Sequence, residues 1–191
     1  MSARLAATLL AGLLLAGPAL AQTERGAFID QIGDANTAIV VQADNTQTAR
    51  VAQIGDRNAA GVTQRGAGSH TALVGQVGDG NGVALVQSGA GDQAATIGQN
   101  GDRNSLTINQ QGALVSSGVV AMQNGDDNRM RLDQSGEGNQ ARLIQDGDSN
   151  TMTALQNGDN NQLAWTQTGN GLPDLLITQS GNQIIAITQS K

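Results

Sequence analysis

Polar and apolar residues alternate in short bursts along this chain, and each burst closes on a glutamine. The closing residues are Gln31, Gln42, Gln53, Gln64, Gln76, Gln87, Gln99, Gln110, Gln123, Gln134, Gln145, Gln156, Gln167, Gln179 and Gln189. Counting back by two from each glutamine after the first gives an apolar residue every time, from Val40, Val51 and Val62 through Trp165 to Ile187. Counting back by four gives a second apolar row, from Ala38 and Ala49 to Leu175 and Ile185. Six before, Asn dominates, as at Asn36, Asn58, Asn81 and Asn104; Gln47, His70, Gln93, Ser117, Pro173 and Gln183 depart. Residues two apart share one face of a strand. Each burst is therefore expected to be a seven-residue strand whose inner face reads Asn–apolar–apolar–Gln. No Asp, Glu, Lys or Arg falls on that face.

The connections alternate in kind. One set reads Gln-x-Gly-Asp-x-Asn and carries Asp34, Asp56, Asp79, Asp102, Asp126 and Asp148. Gly supplies the positive φ of a tight corner, and Asp and Asn bond back to local backbone. The other set, at 43–46, 65–69, 88–92 and 111–116, is looser and holds the variation in step length up to Gln167. The repeat is thus a pair of strands of about 22 residues, with one strict and one permissive corner. Such a unit buries its apolar face only by stacking on copies of itself. The expected fold is all-β: a β-solenoid with two strands per rung and about seven rungs over residues 31–191. Stacking aligns like residues, so inward Asn and Gln pass amide hydrogen bonds along the axis beside a dry apolar seam, the side-chain logic of cross-β packing.

Composition narrows the function. The chain has no Cys, no Tyr, one Phe and one Trp, which leaves no disulfide framework and no large aromatic core. Residues 1–21 read as a signal peptide, with Arg4, an apolar run and a small-residue cleavage site at Ala19-Leu20-Ala21. Residues 22–30 form a short segment before the repeats. Removing Arg4 leaves nine basic and sixteen acidic residues and moves the net charge from −6 to −7. An acidic chain with no basic stripe is a poor partner for nucleic acid.

Units such as Gln31-Ile-Gly-Asp-Ala-Asn36-Thr-Ala38-Ile-Val-Val-Gln42 and Gln53-Ile-Gly-Asp-Arg-Asn58-Ala-Ala60-Gly-Val-Thr-Gln64 resemble the curlin repeat, Q-x-G-x-x-N-x-A-x-x-x-Q. The resemblance covers residues 31–189. It implies a subunit of curli, the extracellular functional amyloid fibre of Gram-negative bacteria, which is exported through the periplasm and a dedicated outer-membrane channel and supports adhesion and biofilm matrix. Self-association and a second curlin-family subunit are the partners it implies. Two features depart from the major subunit. The segment at 22–30 is short and not Gly-rich, and the last unit, 179–189, is one residue short. The latter, with Lys191 after it, resembles the nucleating subunit.

The remaining candidates resolve against this frame. Gln31, Gln42, Gln53, Gln64, Gln179, Gln189, Asn36, Asn58, Ile185 and Ile187 are expected to form the ladders and the polymerising ends. The rungs at 31–53 and 167–189 face partners, and the aliphatic run at 184–187 marks the growing end. The Asp row is expected to act as gatekeepers, since like charges oppose association between fibres. A calcium roll would need a nine-residue Gly-Gly-x-Gly-x-Asp repeat, which is absent. His70 reads as a substitution in the Asn row and Trp165 as core. No catalytic, cofactor or metal residue is expected. A soluble ice- or ligand-binding solenoid is the alternative of a different class. It would need a regular outward Thr row, whereas the outward positions read Val41, Ala52, Thr63, Gly75 and Val86.

Overall fold

A computed structural model describes residues 25–191; the expected signal peptide lies outside the described residues. Fifteen strands and no helix make up the described chain. β1 (Gly26–Ile32), β3 (Thr48–Ile54), β5 (Thr71–Val77), β7 (Gln93–Asn100), β9 (Ser117–Asn124), β11 (Gln140–Asp146), β13 (Gln162–Thr168) and β15 (Ile184–Ser190) stack in that order as one sheet. β2 (Thr37–Gln42), β4 (Ala59–Arg65), β6 (Gly82–Ser88), β8 (Ser105–Gln111), β10 (Arg129–Ser135), β12 (Thr151–Asn157) and β14 (Ile177–Ser180) form the other. All pairings are parallel, and the chain crosses from one sheet to the other at every corner, so the fold is a β-solenoid of about seven turns. Seven intervals of ~4.8 Å give the eight-stranded face a length of roughly 34 Å.

Register follows the glutamines. Gln31 pairs with Gln53, Gln53 with Gln76, and Gln145 with Gln167, and the apolar rows fall into line with them. The core is the seam between the two sheets, where Val51, Val62, Val74, Ile97, Ile108, Leu132, Leu143 and Trp165 are buried. Most parallel sheets are covered on both faces and read as continuous apolar runs. Here each sheet covers only one face of the other, which is why a parallel fold shows a strict period of two.

Two elements differ from the expectation. β1 begins at Gly26, inside the segment expected to precede the repeats, and brings Ala27 and Ile29 into register with Ala49 and Val51. The strand expected over 173–179 is cut to Ile177–Ser180. Leu172, not Pro173, takes the Asn-row position: it is buried, and its N–H donates to Asn150 Oδ1 at 2.9 Å. The chain from there to Gln179 is one residue longer than in the other units, and the surplus bulges out. Leu175, expected on the inner face, is 47% exposed, and Leu176 turns with a φ of +47°. Asp174 Oδ1 compensates by accepting the N–H groups of Thr153 and Leu176.

Candidate functional site: the ladders and their ends

The inner rows bond along the axis in one direction. In the eight-stranded sheet each Gln Nε2 donates to the Oε1 of the next rung, from Gln31 through Gln53, Gln76, Gln99, Gln123, Gln145 and Gln167 to Gln189, at 2.7–2.9 Å after the first link. The other sheet runs likewise from Gln42 through Gln64, Gln87, Gln110, Gln134 and Gln156 to Gln179, at 2.6–3.0 Å. The same Nε2 groups also reach across the seam, as Gln53 does to the Thr37 carbonyl at 3.1 Å. Most of these amides thus tie two rungs and both sheets. Buried amides without partners would be costly, so the ladder both satisfies the row and penalises a slipped register.

The Asn row works differently from the expected amide-to-amide chain. Asn58 Oδ1 accepts the backbone N–H of Asn81 at 2.9 Å, and Asn58 Nδ2 donates to the Gly78 carbonyl at 2.7 Å. The short side chain reaches the corner backbone of the next rung before it reaches the next Asn. Only Asn161 donates side chain to side chain, to Asn139 Oδ1. On the early permissive corners longer side chains take this position. Gln47 Nε2 donates to the Gly66 carbonyl, and His70 Nε2 donates to the Arg65 carbonyl, which leaves His70 Nδ1 buried without a partner.

The Asp row lines one edge of the stack. The backbone N–H of Asp34 donates to Asp56 Oδ1, that of Asp56 to Asp79, Asp79 to Asp102, Asp102 to Asp126, and Asp126 to Asp148, all at 2.8–2.9 Å. Asn170 takes the last place, accepting from Asp148. These carboxylates therefore hold the corner together as well as charging the edge. Glu137 and Asp159 repeat the contact on the opposite edge, which the spacing rule overlooked because it searched one corner set only. No group of three His, Asp or Glu side chains converges on a metal-sized site among the described residues. Arg103 bonds Asp127 one rung up at 2.8 Å and holds its carboxyl below the usual range; both are exposed, where such a pair contributes little.

The two ends differ. At the first rung Ala38 and Val40 are half-buried, Ile29 is 48% exposed, and Gln31 lies open. At the last, Ile177, Ile185 and Ile187 are half-buried against the core. Ladder polarity makes these ends complementary. Among the described residues nothing donates to the Oε1 of Gln31 or Gln42, whereas Gln189 Nε2 has no further glutamine to donate to and bonds the Pro173 carbonyl. The sequence reading missed Ala27 and Ile29 on the inner row of β1; the same count back from Gln31 finds both.

The family model of the curlin associated repeat matches residues 125–156. Within that window both corner sets keep the same length, as they also do over residues 31–64. No curated protein and no solved structure matches the chain.

Proposed function

We propose that this chain, whose residues 125–156 match the curlin associated repeat, is a structural subunit of an extracellular curli-type amyloid fibre. It assembles by rung-on-rung stacking and supports cell adhesion and biofilm matrix. The observation that carries this reading is that both glutamine ladders run unbroken through the molecule and both sheets end on open, half-buried rows. Unpaired edges of this kind are templates for another chain. Export by the signal peptide at 1–21, passage through an outer-membrane channel and contact with a second curlin-family subunit belong to the same reading. The Asp row then serves as gatekeeper, keeping neighbouring fibres apart while growth proceeds at the ends.

The broken strand β14 and the bulge at 173–176 favour a second reading, the nucleating subunit at the cell surface, whose last unit need only start a stack. The test is direct. The purified mature chain should gain thioflavin fluorescence after a lag, form fibres, and diffract at about 4.7–4.8 Å along the fibre axis. A chain that stays monomeric under these conditions overturns both readings. It would instead favour a soluble ligand-binding solenoid.

A further inference from the structure

We infer that successive copies join head to tail with a half-turn about the fibre axis, so that each sheet of one copy continues into the opposite sheet of the next. This rests on the fibre reading above. The direction follows from the ladders: the donor end at Gln189 meets the acceptor end at Gln31 and Gln42, whereas like ends would oppose acceptor to acceptor.

The half-turn follows from strand parity. The described strands number fifteen, and among the described residues β15 is the last, standing one strand above β14. If β1 of the next copy sits on β15, its β2 has no strand directly beneath it and β14 stays uncovered. If β1 sits on β14 and β2 on β15, both open edges find a partner, β14 over Ile177–Ser180 only, and the alternation of sheets continues. In that register Ile29 lies over Ile177, Gln31 over Gln179, Val40 over Ile187 and Gln42 over Gln189. The half-buried rows are closed on both sides.

The corners support the same joint. An exchange of sheets sets the strict corner Gly33-Asp34-Ala35 of the next copy on the permissive edge. Early in the chain that edge is irregular, its corners at 135–138 and 157–160 take the strict geometry, and its last corner, 180–182, is one residue shorter. Gly136 and Gly158 have φ of +108° and +85°, and Gly138 and Asn160 follow at +65° and +55°, close to Gly125, Asp127, Gly147 and Ser149 on the strict edge. The bonds match too: Asn160 N–H donates to the Glu137 carbonyl as Ser149 does to Asp126, each at 2.8 Å. Asn182 N–H continues the series to the Asp159 carbonyl. Towards this end the two edges grow alike, so a copy turned by half a revolution meets a Gly-containing corner whose one missing residue is the only difference in length from its own. The same register brings Asp44 of the next copy beside Lys191, acid against base.

The chain has no cysteine, so a disulfide reports the joint cleanly. Opposed residues on adjacent parallel strands lie about 4.8 Å apart, within disulfide range. The half-turn places Asp30 over Thr178; the joint without exchange places it over Thr188. All three side chains point outward and are exposed. Full-length D30C/T178C and D30C/T188C are assembled under reduction, checked for fibres by electron microscopy, then oxidised. The half-turn predicts reducible oligomer ladders from D30C/T178C at no less than about ten times the yield from D30C/T188C. Ladders mainly from D30C/T188C, or fibres in which neither pair links, overturn the half-turn and leave the fibre reading intact. Failure of the wild type to form fibres overturns the fibre reading itself.

Discussion

The indole Nε1 of Trp165 donates to Gln189 Oε1 at 3.1 Å, so the buried tryptophan of β13 is tied to the last glutamine of the ladder. Gln189 accepts from Gln167 as well, and Ile187 covers the indole from above. Gln189→Ala leaves a buried N–H unpaired, at a cost of about 1–3 kcal/mol. Gln189→Glu keeps the acceptor and should restore most of the loss. Urea unfolding of the monomer, followed by the emission of this single tryptophan, checks both variants. Equal stability of Gln189→Ala and the wild type would remove the tie.

Charge on an inner row should stop assembly. Val62 is 1% exposed, between Val40 and Leu85 in register. Val62→Asp buries an unpaired carboxylate, which costs several kcal/mol. Thr63 points outward between Val41 and Val86, so Thr63→Asp should change the lag less than about twofold. Thioflavin kinetics of the pair decide the matter, and equal kinetics would contradict the face assignment.

Much of this was legible in the sequence because single-faced burial forces a period of two, and because rows of Gln must align to be satisfied. Less legible were features that depend on where a side chain finds its partner. Asn58 reads as a ladder amide, yet its short arm meets the Gly78 carbonyl first. Pro173 holds the counted Asn position, yet Leu172 fills it because the surplus residue bulges out at Leu175 and Leu176. The common direction of the glutamine amides, which makes the ends unlike, comes from oxygen and nitrogen positions that no residue spacing encodes.

The Asp row separates charge from geometry. Asp56, Asp79 and Asp102 each use Oδ1 to accept a backbone N–H, and Asn170 makes the same contact with an amide oxygen. Replacing all three with Asn therefore preserves the corner while removing carboxylates one rung apart. Assembly should quicken and lose sensitivity to salt, since screening acts on the same repulsion. The corresponding Ala variants should lose about 0.5–1.5 kcal/mol per bond in unfolding experiments. A calorimetric titration with stoichiometric calcium uptake by the wild type and none by the Asn variant would replace gatekeeping with metal binding.

The strict corner should tolerate nothing but glycine. Gly55 has a φ of +111°, and an added Cβ would lie 2.2 Å from the Gly78 carbonyl oxygen. Gly55→Ala should therefore cost more than the 1–3 kcal/mol of backbone strain alone, since the rungs must also part. Gly82 lies in β6 with open space around its Cα, so Gly82→Ala should be neutral or stabilising by up to about 1 kcal/mol. Thermal unfolding of the two variants side by side tests the contrast.

Parity gives the last prediction. A chain ending at Gln179 loses β15 and keeps fourteen of the fifteen strands. Each strand stacks on its immediate neighbours, so the remaining rungs should survive the loss as repeat arrays do. With an even number of strands the seamless joint no longer exchanges sheets: β1 of the next copy sits on β13, Gln31 over Gln167, and Asp30 over Thr166. D30C/T166C should then cross-link in fibres of the truncated chain and not in those of the full chain, where β15 covers Thr166. The uncovered Trp165 adds an internal reporter, since its emission should shift to the blue as each joint closes over it. Truncated fibres that give no D30C/T166C link would show that strand count does not set the joint.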